Sequence, residues 1–154
     1  MKARQDAAEF KFKYGYEIPV HFLAQKVADN NQIYTQHSGK RAMAATMILG
    51  GVDDERGPQL FRIDPAGFFH GYKAASAGVK EQDATNWLEK KVKSEPSIDY
   101  NAAVQRALSC LRSVLATDLK PSDVEVAVMV AGKRYRVLEE KELDEHLTAI
   151  AEKD

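Results

Sequence analysis

The chain of 154 residues carries a single cysteine, Cys110. That excludes an internal disulfide framework and any zinc site built on thiolates, and it fits a reducing compartment. Charge of one sign is missing too: 22 Lys and Arg stand against 23 Asp and Glu, for a net charge of −1. Nothing here forms the basic stripe that would draw a phosphate backbone, so the expected partners do not include nucleic acid. No apolar run approaches bilayer length, and Met1 to Asp6 lacks the apolar segment of a secretory signal, so no membrane is expected and the reading is of a soluble intracellular protein. Repeats, low-complexity tracts and Pro/Gly-rich linkers are also absent. The length suits one domain, 1–154.

Catalytic and ligand-binding motifs are equally sparse. His21, His37, His70 and His146 are scattered without the spacing of a metal site. Asp53-Asp54-Glu55 lacks the alternating ligands of a calcium loop and reads as a solvated hairpin tip. The glycines between Gly71 and Gly78 are not followed by the Lys-Ser/Thr of a phosphate loop, and small residues for close packing account for them better. Lys90-Lys91-Val92-Lys93 reads as a helix end rather than a nuclear address, and Cys110 as a small apolar residue at the edge of a helix stripe. No Gly-x-Ser-x-Gly elbow or Ser-x-x-Lys pair is present. No cofactor and no metal site is expected.

What is present is patterned. Residues 2–13 have helical composition without a capping residue ahead of them, as if the helix began in its middle. Gly15 interrupts the pattern, and a second helix is expected from Glu17-Ile18-Pro19 to Gln36, with Val20, Leu23, Val27 and Tyr34 at helical spacing. Arg41 to Val52 changes to a period of two with both faces apolar, a strand that asks for a layer on each side. A polar loop, a return strand at Gln59 to Ile63, the reversal Asp64-Pro65-Ala66-Gly67 and a further strand complete a three-stranded antiparallel meander. An amphipathic helix follows over Gly78 to Val92. Asp99 is placed to cap another, on which Ala103, Val104, Ala107, Leu108, Leu111, Val114 and Leu115 make one stripe. Val124 to Val130 alternate as a strand, Tyr135 to Leu138 return, and a last helix from Glu139 to about Glu152 buries Leu143, Leu147, Ile150 and Ala151. The class is α+β, with strands too few to cover one another. Either a sheet self-associates or partner strands belong to a missing N-terminal segment, and truncation accounts for both the uncapped start and the open sheets.

Asp64-Pro65-Ala66-Gly67 followed by Gly71-Tyr72-Lys73-Ala74-Ala75-Ser76-Ala77-Gly78 resembles the turn, strand and helix start of proteasome alpha-type subunits. Lys13-Tyr14-Gly15-Tyr16-Glu17-Ile18-Pro19-Val20, Tyr34-Thr35-Gln36, Leu88 to Lys93, Lys120-Pro121-Ser122 and Asp144-Glu145-His146-Leu147 are similar to the iota kind of alpha subunit, also called alpha-1 or alpha type-6. The resemblance implies a four-layer αββα sandwich of the N-terminal-nucleophile hydrolase type, incomplete here because the N-terminal strands, gating tail and regulator-binding lysine pocket of the family precede Met1. It implies a non-catalytic subunit of the outer alpha ring of the core particle, supporting ring assembly, gating and regulator docking in ubiquitin-dependent degradation. Catalysis in that superfamily uses a chain-terminal Thr, Ser or Cys, and this chain opens Met1-Lys2. The implied partners are other alpha subunits, the beta ring and regulators, and the implied location is cytoplasm and nucleus. Lys11, Lys13, Tyr14 and Tyr16 are the candidate subunit-contact residues, against the alternative of a solvated helix end with tyrosines packed locally. Two other readings stand beside this one: a beta-type threonine protease subunit, and an independent binding module that self-associates through an open sheet.

Overall fold

In unit 1, Met1–Ala77, one helix supplies the floor on which a three-stranded sheet lies. The computed structural model describes residues 2–39, 41, 45–132 and 135–153, and the chain folds as two compact units, the second being Gly78–Asp154. Helix α1 (Lys2–Tyr14) leads to α2 (Val20–Gln36), whose N-cap is Pro19. A proline there sacrifices no intrahelical bond, because the first N–H groups of a helix have no partner within it. Val20, Ala24, Val27 and Ala28 recur every three or four residues and are buried against Phe61 and Ile63 of the sheet.

That sheet is β1 (Met47–Asp53), β2 (Gly57–Ile63) and β3 (Phe69–Gly71), in the order β1-β2-β3 and antiparallel throughout. Met47 lies opposite Ile63 and Leu49 opposite Phe61; Phe69 and Gly71 in turn face Ile63 and Phe61. This is the meander expected from the sequence. The register sets one face toward α2, and a Cβ on Gly51 would lie 2.7 Å from Val20 Cγ2, so only glycine lets strand and helix come this close. The expected strand over Arg41 to Val52 begins later, at Met47; of its earlier part, Ala42, Met43 and Ala44 lie outside the described residues. Its two faces also differ in burial: Met47 and Leu49 pack on the core, while Ile48 and Gly50 are exposed. The strand after the reversal is shorter than its sequence suggests, because only Phe69–Gly71 have a β2 partner and Tyr72 adds one last bond to the Leu60 carbonyl at 2.8 Å.

The reversal itself is fastened to α2. The Asp64 carboxylate accepts from the Phe68 N–H at 2.9 Å, the Asp64 carbonyl accepts from the Gly67 N–H at 3.2 Å, and the Asn31 side-chain amide donates to that same carbonyl at 3.1 Å. Gly67 sits at φ 96°, and a Cβ there would fall 2.8 Å from the Ala28 carbonyl oxygen. Turn conformation and close approach both call for glycine.

Unit 2 is built on its second helix, α4 (Tyr100–Leu115). Helix α3 (Glu81–Ser94) precedes it, and Arg106 of α4 reaches back to the Glu95 carbonyl at 3.0 Å and the Glu95 carboxylate at 2.5 Å. Helix α4 (Tyr100–Leu115) begins as its sequence suggests, with the Asp99 carboxylate accepting from the Ala102 N–H at 2.7 Å. A 3-10 turn at Pro121–Asp123 leads to β4 (Ala127–Val128), which pairs antiparallel with β5 (Arg136–Val137), and α5 (Glu140–Ala151) closes the unit. The core is Val104, Leu108, Leu138, Leu143 and Ile150, with Val124, Val126, Val128 and Leu147 packed against it. Along 124–131 burial alternates residue by residue as expected, although the ladder itself is only two residues long. The stripe expected on α4 divides. Val104 and Leu108 are buried, whereas Ala103, Ala107, Leu111 and Leu115 are exposed, and on α5 Ala151 is exposed as well.

Candidate subunit interface

Five of the chain's 12 Phe and Tyr residues fall between positions 10 and 22. Phe10 and Tyr14 are four residues apart on α1 and so share a face, with ring centroids 4.5 Å apart. Gly15 then reverses the chain at φ 80°, its N–H bonded to the Lys11 carbonyl at 2.8 Å, which ends the helix in the manner of a left-handed cap. The reversal folds Tyr16 back so that its ring meets Phe10 edge-on at 5.2 Å, and Phe22 of α2 approaches the same ring at 5.9 Å. Phe10 is therefore the hub of a four-ring cluster drawn from two helices and the turn between them.

The cluster is anchored on one side and open on the other. Asp6 of α1 is buried and pairs with Lys26 of α2 at 3.1 Å, and Ala3 packs on the core, so one face of α1 is committed to the fold. Tyr14, Tyr16 and Phe22 are each about half exposed, and Phe12, on the outer side of α1, is 95% exposed. The Lys13 ammonium lies over the Tyr14 ring, 5.2 Å from its centroid, and Lys11 pairs with Glu17 across the turn. Exposed aromatic surface is the composition that anchors protein–protein contacts, and the two lysines stand beside it. The arrangement offers large, rigid, half-desolvated contact area and no nucleophile poised beside a base.

The four residues singled out from the sequence, Lys11, Lys13, Tyr14 and Tyr16, all lie at this corner. Phe10, Phe12 and Phe22 were not among them. The Phe10–Tyr14 spacing is readable in the sequence; the approach of Tyr16 and Phe22 depends on the path through Gly15.

Elsewhere the potential chemical groups have structural settings. His21 packs edge-on against Phe61 and Phe69, at 5.7 and 5.4 Å. The Asp53 carboxylate accepts from the Glu55 and Arg56 N–H groups, 2.9 and 3.3 Å away, and these bonds, that of Glu55 foremost, hold its pKa below the ordinary value. Cys110 is buried with its Sγ 3.8 Å from the Ala84 carbonyl oxygen, and burial pushes its thiol pKa up, away from nucleophilic character. Among the described residues no three His, Cys, Asp or Glu side chains are grouped to hold a metal ion, and no helix is long and apolar enough to cross a membrane.

The proteasome subunit family matches residues 1–129. The chain belongs to the proteasome subunit family. It is 44% identical to the probable proteasome subunit alpha type-1 of Schizosaccharomyces pombe, over 99% of this chain and 63% of that protein. It is 37% identical to proteasome subunit alpha type-6 of Caenorhabditis elegans, with the same coverage, and 36% identical to the proteasome subunit alpha of Methanothermobacter thermautotrophicus over 95% of this chain and 58% of that protein. The chain thus spans less than two thirds of the length of these relatives, and it corresponds to their C-terminal part. The similarity to alpha-type subunits carried by Asp64-Pro65-Ala66-Gly67 and by Lys13 to Val20 extends across the whole chain, and the α+β class agrees with the family.

Proposed function

We propose that this chain acts as a non-catalytic, structural subunit of the outer alpha ring of the proteasome core particle, in ubiquitin-dependent protein degradation in the cytoplasm and nucleus. The observation that carries the proposal is the 44% identity to an alpha type-1 subunit along 99% of this chain. The geometry supports it at one corner: Phe10, Phe12, Tyr14, Tyr16 and Phe22, with Lys11 and Lys13 beside them, form the kind of surface that seats a neighbouring alpha or beta subunit. In this reading residues 1–154 are part of one domain with a four-layer αββα architecture. The exposed apolar residues Ala103, Ala107, Leu111 and Leu115 of α4, and Ile48 of β1, support the presence of further covering layers in the complete subunit. Gating and regulator docking are then properties of the assembled ring rather than of this chain.

Co-expression with the remaining alpha and beta subunits of one species tests the proposal. The tagged chain is expected to co-purify with alpha and beta subunits in a stoichiometric complex, and Tyr14→Ala combined with Phe10→Ala is expected to reduce that recovery at least several-fold. Recovery of the chain free of both kinds of subunit, as a cooperative homodimer, overturns it in favour of a self-associating module. Hydrolysis of a fluorogenic peptide by the purified chain alone overturns it in favour of a beta-type protease.

A further inference from the structure

Tyr100, the first residue of α4, shares a cation with the start of α5. Arg136 Nη2, from β5, donates to Tyr100 Oη at 3.4 Å, and the same guanidinium holds the Glu142 carboxylate in two hydrogen bonds, from Nη1 at 2.7 Å and from Nη2 at 2.9 Å. One cation thus serves a carboxylate closely and a phenol loosely.

The Tyr100 hydroxyl is open to an enzyme. Tyr100 is 38% exposed, and every residue from Lys93 to Asn101 is exposed. Residues 95–99 lie outside any helix or strand, and Asp99 has extended backbone at φ −78° and ψ 178°. Tyr100 itself belongs to the first turn of α4, and helix ends fray. A transferase that must take the tyrosine together with the residues before it meets extended chain here rather than a helix face.

The surroundings also suit a phosphate on that oxygen. A phosphate esterified on Oη starts from the atom that already meets Arg136, and it brings a charge of about −1.5 to −2 against the single charge of Glu142. A planar guanidinium takes phosphate oxygens in paired bonds. The N-terminal pole of α4, a helix of 16 residues, favours an anion at its first position. Asp99 and Glu142 oppose the new charge, but Asp99 is exposed and Glu142 partly so, where water and salt screen the repulsion.

We propose that Tyr100 is a phosphorylation site, at which the phosphate draws Arg136 away from Glu142 and unties β5 from the start of α5. A protein tyrosine kinase with Mg-ATP supplies the group. Tyr100 Oη attacks the γ-phosphorus, the bond from that phosphorus to the β,γ-bridging oxygen breaks, ADP leaves, and the phenolic proton passes to a carboxylate base of the kinase. The proposal concerns unit 2 alone and does not depend on the ring function.

Treating the whole chain with a tyrosine-kinase catalytic domain and Mg-ATP, followed by peptide mapping, is expected to place phosphate on Tyr100. Tyr100→Phe is expected to remove that label, with circular dichroism checking that the fold is kept. Label confined to other tyrosines overturns the proposal, as does no label while a glutamate–tyrosine copolymer control is fully modified. A second arm installs phosphotyrosine at position 100 by codon suppression. Its phosphorus NMR titration is expected to have a midpoint below about 6, the ordinary second pKa of such a phosphate, and Arg136→Gln is expected to return the midpoint there. The Glu142 carboxyl is expected to move from about 2 toward its ordinary 4.5 once the phosphate is in place. A phosphate that titrates alike with and without Arg136, or a Glu142 midpoint left near 2, overturns the exchange of partners and the proposal with it.

Discussion

Replacing Gly67 by alanine separates two roles that one glycine plays. The residue sits at φ 96°, and the substitution forces an L side chain into left-handed backbone, at a cost of about 1–2 kcal/mol. The new Cβ would also stand 2.8 Å from the Ala28 carbonyl oxygen and 2.9 Å from Gln32 Cβ, both on α2. Neither can move without disturbing the helix, and overpacking of that kind costs about 1–3 kcal/mol more. Gly57 provides the control. It has φ 70°, but nothing lies within 4 Å of its Cβ position, so Gly57→Ala carries the conformational cost without the collision. Both substitutions also stiffen the unfolded chain, a gain of about 0.4–1 kcal/mol that cancels between them. Native-state hydrogen exchange at the β2 amides of Phe61 and Ile63 measures the opening free energy of unit 1 directly. Gly67→Ala is expected to lower it by about 1–3 kcal/mol more than Gly57→Ala does. Equal losses, within about 0.5 kcal/mol, would refute the argument that the turn is clamped against α2.

In unit 2, Leu108 is 1% exposed and Leu111 is 44% exposed. Leu108→Ala is therefore expected to destabilise by about 2–5 kcal/mol, and Leu111→Ala by less than about 1 kcal/mol, in urea unfolding followed by Trp87 fluorescence; similar losses at the two sites would contradict the burial of one row alone. The Glu142 carboxyl is pulled down from its ordinary 4.5 to about 2, first by the hydrogen bonds from Arg136 at 2.7 and 2.9 Å and then by the Glu139 N–H at 3.1 Å. A depressed folded-state pKa stabilises above the unfolded value, so this contribution is complete above about 4.5 and is lost as pH falls toward 2. Carboxyl-carbon NMR is expected to place the Glu142 midpoint near 2, and Arg136→Gln to raise it; a wild-type midpoint at the ordinary 4.5 would sink this reading.

Much of the fold is legible in the sequence because local chemistry decides it. The Asp99 cap, the Asp64 to Gly67 reversal and the alternation over 124–131 each need only a few neighbouring residues to decide them, and each is found where its residues place it. The aromatic corner is partly of this kind. Phe10 and Tyr14 meet because a helix has 3.6 residues per turn, whereas Phe22 joins them only because Gly15 and Pro19 send the chain back antiparallel, a path that no spacing rule encodes.

The division of the α4 stripe has a different origin. Apolar residues at 103, 104, 107, 108, 111, 114 and 115 cover an arc too wide for one neighbour, so periodicity alone cannot say which edge of the arc is used. Here α5 and the segment from Val124 to Val128 cover Val104 and Leu108, and the row Ala103, Ala107, Leu111, Leu115 stays open. That row repeats every four residues and pairs two alanines with two leucines, small toward the start of the helix and large toward its end. The alanines serve helix propensity on any surface, but at Leu111 and Leu115 a charged residue would serve it about as well and solubility better, so a surface kept for water gains nothing from the two leucines. In the proposed alpha subunit this row is a contact surface, filled by further layers of the same sandwich. The open rows of α4 and the aromatic corner of α1 then stand for two different needs, completion of the subunit and attachment of its neighbours. Charged substitution separates them: Leu111→Glu would hinder folding of the complete subunit before any ring formed, whereas Tyr14→Glu would leave a folded subunit that fails to join one.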